Sequence, residues 1–249
     1  LTADDLAVTA NTSKESGGGI RNQGVLTLTN IVFSGNTIDN TYTEGCCKGG
    51  AGIANAGILR MEDSQLTDNI VVVTGHAAGG GFYNLFTGIA NLSRVHLSGN
   101  YADRGGGIYS SASAVLTLTH SSVISNAAAG VSQKSGGGIY VLGQASIINS
   151  TISGNQATGN GGGLYTEGGA VSLNNVTIAN NTADSDNDGD NAIDNGGGFY
   201  QTGGGTVDVQ NSLVAANVDN SPGSPDCEAE SGVITSGGHN LIGAVDGCN

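Results

Sequence analysis

The densest chemistry in the sequence is the acidic run Asp184-Ser185-Asp186-Asn187-Asp188-Gly189-Asp190. Carboxylates at every second position, followed by glycine, match the first half of a calcium loop. Hard oxygen ligands at that spacing can wrap one ion, and Gly189 permits the sharp turn between them. Asp194 or Asn195 falls near the place of the usual closing bidentate Glu, and neither is a Glu. A weak structural Ca2+ site on Asp184, Asp186, Asp188, Asp190 and Asp194 is therefore expected, with a solvated acidic loop as the alternative. Four cysteines, Cys46, Cys47, Cys227 and Cys248, allow three pairings. The histidines His76, His96, His120 and His239 are scattered, and by spacing they form no cluster.

The elements that position these groups emerge from composition and repetition. The chain has 249 residues, of which 44 are glycine and 11% are charged, and it lacks tryptophan. Glycine at that level without a Gly-X-Y period excludes collagen and points to disorder or repeats. Short alternating runs of Val, Ile and Leu throughout the chain favour repeats. The net charge is -14, with seven basic residues spread singly. So few cations cannot neutralise a row of phosphates, which excludes nucleic acid as a partner. Polyanionic polysaccharides are disfavoured too, unless bound cations reverse the local field. No apolar run approaches the roughly 18 residues that span a bilayer, so no membrane insertion is expected. The opening Leu1-Thr2-Ala3-Asp4 carries no initiator Met or signal peptide and reads as a processed or trimmed start.

The word Gly-Gly-Gly-apolar recurs at 17–20, 79–82, 105–108, 136–139, 161–164 and 196–199, with Gly50-Ala51-Gly52-Ile53 as a variant. Alternating runs such as Val25-Leu26-Thr27-Leu28-Thr29 follow, and each leads to an asparagine. Aligned on it, the copies place Asn11, Asn36, Asn69, Asn100, Asn126, Asn155, Asn181 and Asn217 in one column. Three residues earlier stand Val8, Phe33, Leu66, Leu97, Val123, Ile152, Ile178 and Val214, apolar in every copy. From the apolar residue of the glycine word to the Asn is always 16 to 18 residues, whereas the return from the Asn varies from 5 to about 20. One part of the repeat is rigid and one corner accepts insertions, at 37–49, 70–78, 127–135, 182–195 and 218–236. These should emerge along one edge of a stack, where repeat proteins usually carry binding loops.

Period-two alternation over four to six residues indicates strands. A repeat of about 25 residues holds about three of them with tight corners, and the glycines suit corners that need positive φ or close backbone approach. The expected fold is therefore all-β: a right-handed parallel β-helix of about eight to nine coils, one domain over 1–249. Its first coil is incomplete over 1–16, and its last spans 218–249. Coils stack about 4.8 Å apart. An Asn at one inward corner of every coil can donate its amide to the carbonyl of the next, fixing register and satisfying buried polar groups.

At this point the pattern resembles a family. Gly49-Gly50-Ala51 and Phe33-Ser34-Gly35-Asn36 look like the Gly-Gly-Ala/Ile and Phe-x-x-Asn repeats of polymorphic outer-membrane proteins. More broadly the chain is similar to bacterial right-handed β-helix surface proteins with Gly-Gly-Gly-Ile-Tyr coils. The tail from Asp226-Cys227 through Ser236-Gly237-Gly238-His239-Asn240-Leu241-Ile242-Gly243 to Cys248 resembles their closing coil. The resemblance covers essentially the whole sequence. It implies the fold and an extracellular or cell-surface, secreted location, and it leaves activity open among adhesins and scaffolds. The chain departs from longer members in showing no autotransporter barrel and no wall or membrane anchor.

A solenoid constrains the remaining candidates. Six coils separate Cys46 from Cys227, roughly 29 Å at about 4.8 Å per coil, whereas a disulfide needs Cα atoms within roughly 7 Å. Cys227–Cys248 should close the last coil, and Cys46 and Cys47 are a vicinal disulfide, free thiols or an intermolecular contact. On the outward strand face, Asp4 and Glu62 fall in one column two coils apart, near 10 Å by the same spacing, with Arg60 beside them. That separation is close to the carboxyl pair of an inverting glycosidase, so these residues are the best catalytic candidates if the chain is an enzyme. No aromatic platform for a sugar lies nearby, and a non-enzymatic role is expected. Thr27-x-Thr29 and Thr117-x-Thr119 recur as in ice-binding β-helices, but Arg60, Glu62, Ile148 and Asp208 break the ranks. Tyr109, Tyr140, Tyr165 and Tyr200 follow the glycine words at equal phase and should stack. Neither end of the chain shows a capping helix, which leaves strand edges open. The expected function is a structural surface scaffold or a filament subunit assembled head-to-tail. The alternatives are an adhesin or carbohydrate-binding module that contacts a cell-surface glycan through the insertions, or a polysaccharide lyase or glycoside hydrolase.

Overall fold

The computed structural model describes residues 1–40, 48–73, 76–129, 134–187 and 195–248. Every regular element among them is a strand, and every pairing between coils is parallel. The result is a parallel β-solenoid of about eight turns with an asparagine ladder. A coil is well illustrated by residues 25–55. Val25–Thr29 and Val32–Ser34 lie in the main sheet, Thr37–Asn40 in a second sheet and Ile53–Asn55 in a third. The second and third sheets each contain eight strands, one from each coil.

Three backbone corners with positive φ shape each coil. The first divides the main-sheet ribbon at Asn30, Asp63, Arg94, His120, Asn149, Asn175 and Asn211. The second precedes the inward Asn, as at Gly35, Asp68 and Ser125. The third is the opening glycine of each glycine word, for example Gly105 at φ 59°. Asparagine and aspartate tolerate this region because their short polar side chains bond locally. The middle glycine of the word has a different reason: a Cβ on Gly106 would lie 2.3 Å from the carbonyl oxygen of Ala127.

Alternation puts Leu26 and Leu28 inside and Val25, Thr27 and Thr29 outside. Register then stacks like on like. Val8, Phe33, Leu66, Leu97, Val123, Ile152, Ile178 and Val214 form one continuous interior column. Ile53, Phe82, Ile108, Ile139, Leu164, Phe199 and Cys227 form another from the third sheet. The two meet in one apolar core that runs the length of the stack.

The insertions leave the coil between the second and third sheets, on one edge. They do not begin as loops: Thr37–Asn40, Ile70–Val73 and Ala127–Ala128 are strands of the second sheet. Residues 218–236, read above as an insertion, make up much of the final coil. Val218–Asp219, Cys227–Ala229 and Gly232–Ser236 continue the second, third and main sheets. The last coil was expected over 218–249; it lacks a glycine word, and Cys227 takes the apolar place opposite Phe199.

Candidate functional site

The inward asparagines form an unbroken ladder. Each donates its side-chain amide to the Oδ1 of the next at 2.8–3.0 Å, from Asn11 through Asn217. The same Oδ1 accepts the backbone N–H of the preceding Asn, as from Asn100 to Asn126 at 3.0 Å. The second amide hydrogen goes back to a carbonyl of the preceding coil, as from Asn126 to Leu97 O at 3.1 Å. Nearly all donors and acceptors of these buried groups are spent on stacking, leaving little for chemistry.

The ladder terminates on a carboxylate. Asp226 Oδ1 accepts from Asn217 Nδ2 at 2.9 Å and from its backbone N–H at 3.1 Å. Asp226 Oδ2 accepts from Ala244 N at 2.6 Å, so the last segment crosses the end of the stack. Ala229 N donates to Gly247 O at 2.8 Å, and the Cys227–Cys248 disulfide joins Cα atoms 5.2 Å apart. The ladder corner of the terminal coil is therefore covered by its own chain, although the coil has no capping helix and its Gly232–Ser236 strand stays exposed. Cys46 and Cys47 lie outside the described residues.

A second, shorter ladder escaped the sequence reading. On the third sheet Asn22 donates to Asn55 Oδ1 at 2.7 Å, and Asn55 to Asn84 Oδ1 at 2.8 Å. The column continues through Ser110, Val141, Thr166 and Gln201, where the relay stops. Among the described residues, the buried Ser110 and Thr166 hydroxyls have no hydrogen-bond partner. The words Asn22-Gln23-Gly24 and Asn55-Ala56-Gly57 carried the signal, because each Asn also accepts from the glycine N–H two residues on.

Main-sheet register places Asp4 beside Thr29 and Thr29 beside Glu62, two coils apart as expected. The cation on Glu62 is Arg94, not Arg60. Arg94 donates from Nη2 to Glu62 at 2.9 Å and from Nε to Asp63 at 2.6 Å. Its hydrogen bond holds the Asp63 carboxyl below the usual range. Arg60 and Glu62 line one shallow depression with Asn91 and Thr117. Asp4 instead lies beside Asn30, whose amide donates to it at 3.5 Å. The structure thus brings Arg60 and Glu62 together and leaves Asp4 apart from their depression. The histidines are less scattered than their spacing implied: His96 and His120 line one corner pocket with Arg94 and Asn149. His120 Nε2 meets the Asn149 amide at 3.0 Å, and His96 Nδ1 meets Ser122 Oγ at 2.7 Å.

Of the calcium candidates, Asp184 and Asp186 are described; Asp188, Asp190 and Asp194 lie outside the described residues. Asp184 is buried at a positive-φ corner, and Asp186 faces the Lys134 ammonium at 3.7 Å. Burial pushes the nearby Asp219 carboxyl up, and the charges of Asp184 and Glu228 add to the rise. Among the described residues no group of three or more His, Cys, Asp or Glu comes together to hold a metal ion.

The tyrosine column is one member longer than expected. Tyr83, Tyr109, Tyr140, Tyr165 and Tyr200 follow one another with ring centroids 4.5–5.6 Å apart. Most of these rings are buried rather than open to solvent, and the Arg104 guanidinium lies over Tyr109 and Tyr140. The Tyr140 and Tyr200 hydroxyls donate to Glu167 and Glu230 at 2.9 and 2.7 Å. Burial pushes the phenols up, Tyr165 to about 12, while the Tyr200 hydroxyl holds the Glu230 carboxyl below its usual range.

With this geometry in view, one comparison with known proteins is informative. The Chlamydia polymorphic membrane protein repeat matches residues 149–167. That stretch carries Asn155 of the ladder and the glycine word at 161–163, the two features that repeat in the other coils. The chain is a β-helix repeat protein similar to the polymorphic membrane proteins. No curated protein and no solved structure matches it. The repeat and the solenoid together suggest a structural protein of the cell surface. No helix among the described residues of this polymorphic-membrane-protein-like chain is long and apolar enough to cross a membrane.

Proposed function

We propose that the chain is a non-enzymatic, secreted scaffold that builds or decorates a cell surface. The observation that carries this reading is the ladder from Asn11 to Asn217, buried from Asn36 onward and closed on Asp226, which commits the interior polar groups to holding a rigid rod. The outward acid Glu62 is engaged by Arg94, and its candidate partner Asp4 lies outside the depression that Glu62 lines. Calcium is the ion this reading assigns, held by Asp184, Asp186, Asp188, Asp190 and Asp194, where it would order an insertion and offset its negative charge. Head-to-tail self-association is the narrower form of the proposal. It would use the outer edge of Gly232–Ser236, which pairs within this chain on one side only.

An adhesive role through the insertions is the second reading, favoured by their emergence along one edge. Negative-stain electron microscopy in calcium and then in EDTA tests both forms. Regular fibres that dissolve in EDTA are the result of calcium-dependent polymerisation. Short single rods in both conditions leave a monomeric scaffold and overturn the filament. Release of reducing sugar from a polysaccharide, lost in Glu62→Gln, would overturn the non-enzymatic reading altogether.

A further inference from the structure

Where the second sheet gives way to the last return, two side chains from neighbouring coils bring oxygen atoms together. Asp219 ends the strand Val218–Asp219, in register with Ala183 of the preceding coil. Its Oδ1 accepts from the backbone N–H and the hydroxyl of Ser221, at 2.9 and 2.7 Å. Its Oδ2 is buried and, among the described residues, has no hydrogen-bond partner. Asn195 closes the return of the preceding coil and is 9% exposed. Its backbone N–H donates to Asn160 Oδ1 at 2.6 Å, and that of Gly196 donates to Ser224 O at 3.2 Å. These contacts set Asn195 against the loop that follows Asp219. Gly223 stands between the two side chains. A Cβ there would lie 1.8 Å from Asn195 Oδ1 and 2.3 Å from Asp219 Oδ2. The glycine therefore leaves a small cradle that both oxygens line.

A carboxylate oxygen held out of water without a donor is costly, and a second acceptor beside it adds to the cost. Negative charge from Asp184 and Glu228 also reaches Asp219, while the Lys134 ammonium faces Asp186 instead. We propose that the cradle is a Ca2+ site that clamps the return ending at Asn195 to the loop after Asp219 on the next coil. The donors are hard oxygens, one carboxylate and one amide carbonyl, which Ca2+ takes together with backbone carbonyls and water. No third acidic side chain is needed. Both oxygens lie near enough to one point to share an ion at its bond lengths of about 2.3–2.6 Å. Mg2+ fits less well, because it keeps its waters and demands a near-ideal octahedron. A single carboxylate makes a weak site, in the range of about 10⁻⁴–10⁻³ M. The site is separate from the acidic run. It uses neither Asp186 nor the aspartates after it, and it stands whether or not that run holds an ion.

The test titrates the full chain with Ca2+ alone, read by calorimetry and by Tm in calcium against EDTA, with Mg2+ as the control. Calcium should bind and raise Tm, as a ligand of the folded state does, and Mg2+ should bind more weakly. Asp219→Asn keeps the Oδ1 acceptor for Ser221. It should therefore fold, melt in EDTA no lower than the parent, and bind Ca2+ about tenfold or more weakly. Gly223→Ala, whose methyl group fills the cradle, should weaken binding in the same way. The double variant Asp188→Asn, Asp190→Asn should leave this binding intact. Loss in that variant as well as in Asp219→Asn would keep Asp219 as a ligand and overturn only the separateness of the two sites. The inference is overturned if the parent binds no Ca2+, or if Asp219→Asn binds it as the parent does. In the latter case, loss in the double variant would leave the ion on the acidic run alone. It is also overturned if Asp219→Asn lowers Tm in EDTA as much as in calcium, since the Asn195 amide would then be bonding Asp219 directly.

Discussion

At one end of the stack Asp226 accepts two hydrogen bonds from Asn217, and the disulfide-tied segment through Cys248 lies across the coil. At the other end Asn11 donates to Asn36 but its own Oδ1 accepts no hydrogen bond among the described residues, and Leu1 and Leu6 are 87% and 52% exposed. The difference follows from the polarity of the ladder. Every Asn donates toward the C-terminal coil and accepts from the N-terminal side. The C-terminal end therefore needs an acceptor, which one carboxylate supplies without another coil. The N-terminal end needs a donor, and a further coil or a second chain can supply one there without displacing anything. At the ladder corner, stacking onto the C-terminal end would have to dislodge Asp226 from Asn217 and move residues 243–248, whereas the Gly232–Ser236 edge of the same coil stays unpaired on its outer side.

The largest test of this contrast is to cut the same ladder at its middle and at its open end. Asn126→Ala orphans the Asn100 donors and the Leu97 carbonyl, all buried, and should cost about 4 kcal/mol in urea unfolding. Asn11→Ala removes donors from an exposed coil and should cost about 1 kcal/mol. Similar losses at the two sites would show that the ladder does not carry the stack.

Breaking the closed end comes next. Reducing Cys227–Cys248 should lower stability by about 3 kcal/mol, chiefly by freeing the unfolded chain. Asp226→Ala should cost about 2 kcal/mol, because the Asn217 and Ala244 donors lose their acceptor. Both losses should be confined to the last coil, read as new protease sensitivity near residues 227–248. If neither change opens that segment, the cover does not depend on these contacts.

The break in the shorter ladder gives a smaller and opposite effect. Ser110 follows Asn84 in that column, and its buried hydroxyl has no partner among the described residues. Ser110→Asn should let Asn84 donate onward and raise stability by about 1 kcal/mol. A loss instead would mean that the site is too small for the amide.

The tyrosine column should leave stability flat near neutral pH and erode it in alkali. Burial raises the phenols of Tyr140, Tyr165 and Tyr200 above the ordinary tyrosine value of 10.0. A raised folded pKa means that the neutral ring is favoured in the fold. That contribution is complete below about pH 10 and is lost as pH rises toward the folded value, about 12 for Tyr165. Phenolate absorbance followed with Tm should show ionisation and melting together. Ionisation well before melting would mean that the rings are open to water.

The fold was largely legible because a solenoid repeats its local rules. The Asn column, the apolar column three residues earlier and the glycine words each recur often enough to be seen in one chain. Whatever occurs once or changes identity was harder to see. Asp226 accepts the end of the ladder from the place opposite Gly198, outside the Asn column, so alignment on Asn passed over it. The third-sheet ladder has only Asn22, Asn55 and Asn84 before it becomes Ser110 and Val141, so no asparagine recurs there in every copy. Arg94 occupies a positive-φ corner that elsewhere holds Asn, Asp or His, and spacing along the chain gave no sign that it reaches back to Glu62 and Asp63 on the previous coil. Lateral contacts of this kind depend on register between coils, which sequence order conceals.

The account rests on one ladder sealed at one end and open at the other, and native-state hydrogen exchange resolved by coil tests it most directly. Protection should be lowest over residues 1–13, rise through the middle coils, and stay high at Asn217 and Ala244 until the disulfide is reduced. Equal protection at both ends, or a last coil that exchanges as freely as the first with the disulfide intact, would contradict it.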